Sequence, residues 1–164
     1  MPKDLKIILN PDPILRKTSA EIPLAEIGKP EFQELLADME RTVRDNDGAG
    51  FAAPQIGKNI RTVVIIDENR PYFLINPRII KRSWARVVEE EGCLSVLDEN
   101  GDIIYAPVKR HKKVTCVYYD QKGEQRKLKA EDMFARVIQH ELDHLDGILF
   151  IDLVEDKDKP ASLK

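Results

Sequence analysis

Glu131-Asp132-Met133-Phe134-Ala135-Arg136-Val137-Ile138-Gln139-His140-Glu141-Leu142-Asp143-His144-Leu145 is the stretch whose reading decides the fold. Phe134, Val137, Ile138, Leu142 and Leu145 recur at helical spacing and Gly147 stands where a stop is wanted, so the pattern predicts a helix from Glu131 to about Leu145. Inside it His140-Glu141-Leu142-Asp143-His144 is an H-E-x-x-H pattern. Its i, i+4 spacing puts both imidazoles on one face, one turn apart, with Glu141 beside them. His140 and His144 continue the row of Met133 and Val137, while Glu141 continues the row of Phe134 and Ile138 and leads to Leu145. The polar trio is therefore expected to face inward. Burying unpaired imidazole and carboxylate costs several kcal/mol, which a divalent metal ion with bound water would offset. The bland alternative is a chance match among surface or hydrogen-bonded core residues; shuffling produces the pattern in roughly three chains per thousand.

A catalytic zinc-like site wants three protein ligands and one open position. No histidine follows His144, and Glu155, the only later glutamate, is read as lying across a strand in a charged tail. The third ligand is therefore sought upstream, where Glu91-Gly92-Cys93-Leu94-Ser95 offers Cys93. A thiolate binds Fe(II) or Zn(II) strongly, and the adjacent Gly92 lets backbone approach closely. His111 is the rival ligand, and burial as a small hydrophobe is the alternative use of a lone cysteine. Gly48 to Gly57 lacks the Lys-Ser/Thr and the preceding strand of a phosphate loop. Its small residues instead allow close backbone approach, and the Gln55 amide can donate hydrogen bonds.

Further out, Phe32, Leu35, Leu36, Met39 and Val43 mark an amphipathic helix from Pro30 to about Arg44, preceded by a loop at Pro11 to Arg16 that enters a short helical turn. Thr62 to Asp67 and Tyr72 to Asn76 read as strands, Arg78 to Glu90 as a further strand pair, and Lys113 to Asp120 with Gln125 to Ala130 as a hairpin about Gln121-Lys122-Gly123. Cys116, alternating with Val114 and Tyr118, is expected in the core. Strands between an early and a late helix favour an α+β fold, with mostly antiparallel sheets packed around a central C-terminal helix that carries the H-E-x-x-H pattern. No repeat or linker divides the chain, so residues 1–164 are expected to form a single domain.

Composition agrees: 42% hydrophobic and 34% charged residues are ordinary for a globular protein. With a net charge of −3 and a pI of about 5.7, no overall basic field draws nucleic acid or an anionic membrane. Lys109 to Lys113 is locally basic and is read as a solvated strand edge. The longest apolar runs fall short of the roughly 20 residues that span a bilayer, and the opening Met1-Pro2-Lys3-Asp4-Leu5 lacks a secretory apolar region, which predicts a cytoplasmic protein. Two isolated cysteines in that compartment argue against a disulfide framework.

Three segments together resemble the peptide deformylase family: Gly48-Ala49-Gly50-Phe51-Ala52-Ala53-Pro54-Gln55, Glu91-Gly92-Cys93-Leu94-Ser95 and Gln139-His140-Glu141-Leu142-Asp143-His144. Pro11 to Arg16 and Leu74-Ile75-Asn76-Pro77 extend the resemblance over nearly the whole chain. It implies a hydrolase that removes the formyl group from N-terminal formylmethionine, with Cys93, His140 and His144 holding one divalent ion. Fe(II) is the family's common physiological ion, and Zn(II) or Ni(II) also serve. Glu141 is the implied general base; the Gln55 amide and Leu94 backbone N–H are the implied donors to the formyl oxygen. Ala49 and Gly50 are the implied edge for an extended peptide, whose methionine side chain enters an apolar pocket near Val137 and His140. Glu91, Gln139 and Asp143 are expected to orient ligands or brace the Cys93 loop, with exposed helix-face polarity an equal reading of Asp143. The implied partners are N-formylmethionyl nascent polypeptides and the ribosome near its exit tunnel, with a monomer or weak dimer expected and no direct nucleic-acid or membrane binding. The chain departs from the family pattern at Ala49, Phe51 and Glu89 and in the loop from Leu97 to Tyr105, where a substrate-side arginine has Tyr105 nearest its place. Two other readings are weighed. A zincin-type peptidase would not depend on Cys93 for metal, and a non-catalytic descendant would bind peptides without releasing formate.

Overall fold

The computed structural model describes residues 5–163. The opening Met1 to Asp4, read above as lacking an apolar leader, lies outside the described residues. Two helices, a five-stranded sheet and a two-stranded sheet make up the regular structure, with short 3-10 turns between them. Strand β1 covers Gly50–Ala52, β2 Thr62–Asp67, β3 Arg70–Arg82, β4 Arg86–Glu91, β5 Ala106–His111, β6 Lys113–Tyr119 and β7 Gln125–Glu131. Helix α2 covers Pro30–Asp45, after the single turn α1 at Leu24–Ile27, and α3 covers Asp132–Leu145. The large sheet has the order β1-β2-β3-β6-β7 with every pair antiparallel, and β4 pairs only with β5.

Both hairpin turns carry the residues their backbones require. Glu68 and Asn69 have φ of 44° and 66° between β2 and β3, as a primed two-residue turn demands, and Gly123 has φ 77° between β6 and β7. Helix α3 begins where β7 ends, without a linker, and Gly147 at φ 73° closes its far end. Ala135, Ile138, Leu142 and Leu145 on α3 pack with Val63, Ile65, Leu74, Val114 and Cys116 of the large sheet. Beside the small sheet, Cys93, Ala106 and Val108 cluster with Leu15, Leu149 and Phe150. A third cluster joins Met39 and Val43 of α2 to Phe51, Ala53 and Val64, so Phe51 is a core residue. The α+β architecture about a central helix is as the sequence led us to expect.

Three expectations need correction. Arg78 to Glu90 is not a strand pair: β3 runs on to Arg82 against β6, and β4 turns away to pair with β5. The cause is a bulge. Asn76 has φ 50°, and its side chain exchanges hydrogen bonds with the Ile22 backbone at 2.8 Å each, so the strand passes Pro77 through a register shift instead of ending there. Secondly, Glu155 follows a 3-10 turn at Phe150–Asp152 and not a strand. Thirdly, the basic run is not uniformly solvated: Lys109, Lys112 and Lys113 are exposed, but strand alternation turns Arg110 inward to 6% exposure.

Candidate metal centre and active site

Helix α3 buries His140, Glu141 and His144 together, and the loop after β4 brings Cys93 to them. One ligand atom from each of Cys93, His140 and His144 lies within 4.8 Å of the others. The Cys93 Sγ to His144 Nε2 separation is 3.3 Å. Ordinary zinc–sulfur and zinc–nitrogen lengths at a tetrahedral angle give an edge of about 3.5 Å, so the spacing fits a shared ion. The donor chemistry fits as well. His140 meets the Glu91 carboxylate through Nδ1 at 2.9 Å, which leaves Nε2 toward the cluster. Burial and the neighbouring His140 hold His144 well below the usual imidazole range, in the neutral form a ligand needs.

Glu141 belongs to no ligand trio. Its Oε2 is buried and has no hydrogen-bond partner among the described residues, and burial pushes the carboxyl up to about 7. Glu91 behaves oppositely. Burial alone would raise it, but hydrogen bonds from His140 and Arg110 outweigh burial and hold it down at about 2. Arg110 grips both Glu91 oxygens at 2.8 and 3.0 Å and also reaches Asp143. Arg136 donates to Glu91 at 2.7 Å, to Glu89 at 3.1 Å and to the carbonyls of Val87 and Val108 at 2.8 Å each.

These arginines were not singled out from the sequence. Arg110 sat inside an ordinary-looking basic run, and Arg136 interrupts an apolar stripe without matching a motif. The available signal was Glu89, a charge at a place that is often apolar in the resembled family: it is an exposed ion-pair partner of the buried Arg136. Of the groups expected to support the ligands, Glu91 does so directly and Asp143 does so through Arg110. Gln139 instead brackets the His111 backbone, accepting at 3.1 Å and donating at 2.9 Å, and so pins the β5–β6 corner to α3. The rival ligand His111 turns its Nδ1 to the Ser83 carbonyl at 2.7 Å and takes no part. Cys116 is a core thiol pushed up to about 12 by burial.

Around Cys93 the polar groups converge. The Ser95 backbone N–H points at the sulfur at 3.4 Å, and the Gln55 amide lies 3.6 Å from it while donating to Ser95 Oγ at 3.1 Å. The Ala52 N–H donates to Gln55 Oε1 at 2.9 Å, which fixes the amide with its NH2 toward the centre. Ser95 stands in the Glu91–Ser95 motif, but nothing in the sequence showed that its N–H and Oγ would both serve the centre. The Leu94 N–H donates to no acceptor among the described residues. A cleft of about 230 Å³ opens beside these groups, lined by Ala49, Gly50, Leu94, Tyr105, Met133 and Val137 among others. Strand β1 borders it as an edge strand, paired on one side only with β2.

Gly50 shows how close that edge runs. A Cβ there would stand 2.6 Å from Glu141 Oε1 and 2.7 Å from its Cγ. Gly50→Ala is therefore expected to displace the Glu141 carboxylate and cut turnover by about 100-fold, since a misplacement of about 1 Å has that effect, with metal content retained. Steady-state kinetics alongside metal analysis checks this; near-normal turnover would mean that Glu141 need not sit where it does.

The chain is matched by the Polypeptide deformylase family over residues 4–160. A peptide deformylase of Stenotrophomonas maltophilia (strain R551-3) is 44% identical over 151 residues, covering 90% of this chain and 85% of the relative. Among solved structures, a Met-Ala-Ser-bound class I type b peptide deformylase from Acinetobacter baumannii superposes with a TM-score of 0.88 at 29% identity, covering 94% of this chain and all of that one. The peptide deformylase of Thermotoga maritima gives a TM-score of 0.86 at 33% identity, covering 93% and 99%. With a buried cysteine–histidine centre, a glutamate beside it and this likeness running the length of the sequence, the chain belongs to the peptide deformylase family.

Proposed function

We propose that the protein hydrolyses the N-formyl group from N-terminal formylmethionine of new polypeptides in the cytoplasm, releasing formate and a free amine. The observation that carries this reading is the buried Glu141 carboxylate, unpaired at Oε2, standing beside the Cys93–His140–His144 trio and directly under the open strand edge at Gly50. Cys93, His140 and His144 would hold one divalent ion. We assign Fe(II) first; the same donors accept Zn(II) or Ni(II). When bound, the ion supplies Lewis acidity and makes water a nucleophile near neutral pH.

The chain's own residues do the rest. The formylated peptide lies extended along β1, its backbone against Ala49 and Gly50 and its first side chain in the cleft near Leu94 and Val137. Glu141 takes a proton from the attacking water through Oε2. As the carbon–oxygen bond forms, charge on the formyl oxygen is met by the Gln55 amide and the Leu94 N–H; each such donor is typically worth about 3 to 4 kcal/mol. Glu141 then gives its proton to the departing nitrogen, and the carbon–nitrogen bond breaks.

The test is formate release from formyl-Met-Ala-Ser by anaerobically prepared, Fe(II)-loaded protein, beside Cys93→Ala. Wild type is expected to release formate, while Cys93→Ala is expected to lose both bound ion and product, because two imidazoles alone leave the site one ligand short. A metal-loaded wild type that binds the peptide and releases nothing would replace the reading with that of a formyl-peptide-binding protein.

A further inference from the structure

Away from the cleft, the corner that carries the chain from β3 into β4 presents Trp84 fully exposed. It is the only tryptophan in the sequence. The corner is held rather than loose: Ser83 N–H donates to the Lys113 carbonyl and Lys112 N–H to the Ala85 carbonyl, both at 2.9 Å. Ser83 Oγ bridges Ala85 and Lys113, and His111 braces the Ser83 carbonyl. A large indole fixed in water on a pinned turn has no packing role in the chain itself.

Two concavities flank this corner and share Arg82. One, of about 390 Å³, has Arg82, Arg86 and Lys109 on its lining; the other, of about 430 Å³, has Lys81, Arg82, Lys127 and Lys129. Across both, ten basic side chains face three acidic ones, on a chain whose net charge is −3. Arg61 and Asp146, Arg110 and Asp143, and Lys113 and Glu131 neutralise one another in pairs. Lys81, Arg82, Arg86, Lys127 and Lys129 form no ion pair among the described residues. The whole-chain balance conceals this asymmetry because the compensating carboxylates lie elsewhere.

We propose that this corner is a binding site for single-stranded nucleic acid, with phosphates in the two basic concavities and a base stacked on the Trp84 indole. Cations spaced along a track and an exposed aromatic between them are the two parts such recognition needs, and neither depends on base sequence. The concave, doubly flanked shape suits a strand passing over the corner better than it suits a flat bilayer. Trp84 and the unpaired cations Lys81, Arg82, Arg86, Lys127 and Lys129 lie outside the cleft beside the deformylase centre, and the proposal does not rest on its activity.

Because Trp84 is the sole tryptophan, its emission reports the site directly. Oligouridylate titrated into the metal-loaded protein at low ionic strength is expected to quench that emission, and rising salt is expected to weaken binding steeply. Arg82→Glu with Arg86→Glu, both on exposed side chains, should weaken binding at least about tenfold, read by anisotropy of a labelled oligonucleotide. Trp84→Ala should weaken it about fivefold or more through lost stacking. Uridine triphosphate is the small-molecule arm: equal affinity for it would assign the site to free nucleotides and overturn the strand reading. Binding of tripolyphosphate as tightly as the oligonucleotide, without quenching, would overturn the stacking. A blue shift with phosphatidylglycerol vesicles and no response to oligonucleotide would make the corner a membrane contact, and no response to either would leave the proposal refuted.

Discussion

Glu141→Gln is expected to lower kcat/KM by about 100-fold to 10,000-fold while leaving the bound ion in place. That is the range over which a positioned general base accelerates proton transfer. The amide copies the carboxylate's shape, and the three residues proposed to hold the ion, Cys93, His140 and His144, lie elsewhere. What is lost is the acceptor at Oε2, which faces no protein donor in the described structure.

The same substitution has a second consequence, in stability. In metal-free protein Glu141 titrates near 7, raised from 4.5 because burial disfavours its charge. A carboxyl raised on folding binds its proton more tightly in the native state, so stability falls as pH rises from about 4.5 to 7 and the full cost, about 3 kcal/mol, stands above that. Metal-free Glu141→Gln escapes this cost and should be more stable than wild type at pH 8, the difference closing as pH falls through 7 toward 4.5. Urea unfolding of the two metal-free proteins at both ends of that range checks it. Equal stability throughout would mean that burial does not raise this carboxyl, and a metal-loaded variant with normal turnover would remove Glu141 from the role of base.

The second large effect is expected at Glu91. Its carboxylate is enclosed by Arg110 and Arg136, each about 5% exposed, and by the Nδ1 of His140. Glu91→Ala would leave two buried guanidinium groups short of a partner, which typically costs about 3 to 5 kcal/mol. A domain of this size has roughly 5 to 15 kcal/mol in total, so the variant should be marginal at 25 °C. It should also bind metal about 10-fold to 100-fold more weakly, because His140 loses the acceptor that orients it. Glu91→Gln, which keeps one acceptor oxygen, should recover part of both. In the wild type this carboxyl is depressed to about 2, so its stabilisation is complete above 4.5 and is lost only as pH falls through 2. Denaturant titration and competition with a chelating dye measure the two effects. A Glu91→Ala variant with wild-type midpoint and wild-type affinity would show that the arginines find water instead.

How much of this was legible beforehand follows from which interactions are local. The H-E-x-x-H helix could be read because its stripe and its ligands obey one period, and Cys93 could be reached because no later residue could complete the set. The hairpin of β6 and β7 was readable from alternation and its turn. The division into two sheets was not, because it depends on the Asn76 side chain reaching back to Ile22, a partner 54 residues away. Strand β5 was read only as a solvated strand edge at Lys109 to Lys113, for a related reason. Its inward row is Ala106, Val108 and Arg110, and a charge in an inward position hides the alternation unless its buried counter-charge is known. Electrostatic satisfaction is long-range in sequence, so the carboxylate–arginine network appeared only once the strands were placed.

The separation of the ligands along the chain bears on how the molecule holds together. Cys93 stands 51 positions before His144, on the loop that leaves the small sheet, while both histidines ride on the helix that anchors the large one. An ion gripped by all three would therefore tie the loop after β4 to helix α3. Because it would bind the folded arrangement and not the unfolded chain, it would stabilise the fold by mass action, by about 2.7 kcal/mol at a free-ion concentration 100 times its dissociation constant. Loading the centre would then also bear on folding, and a chain lacking its ion is expected to be more open to proteolysis around β4 and β5.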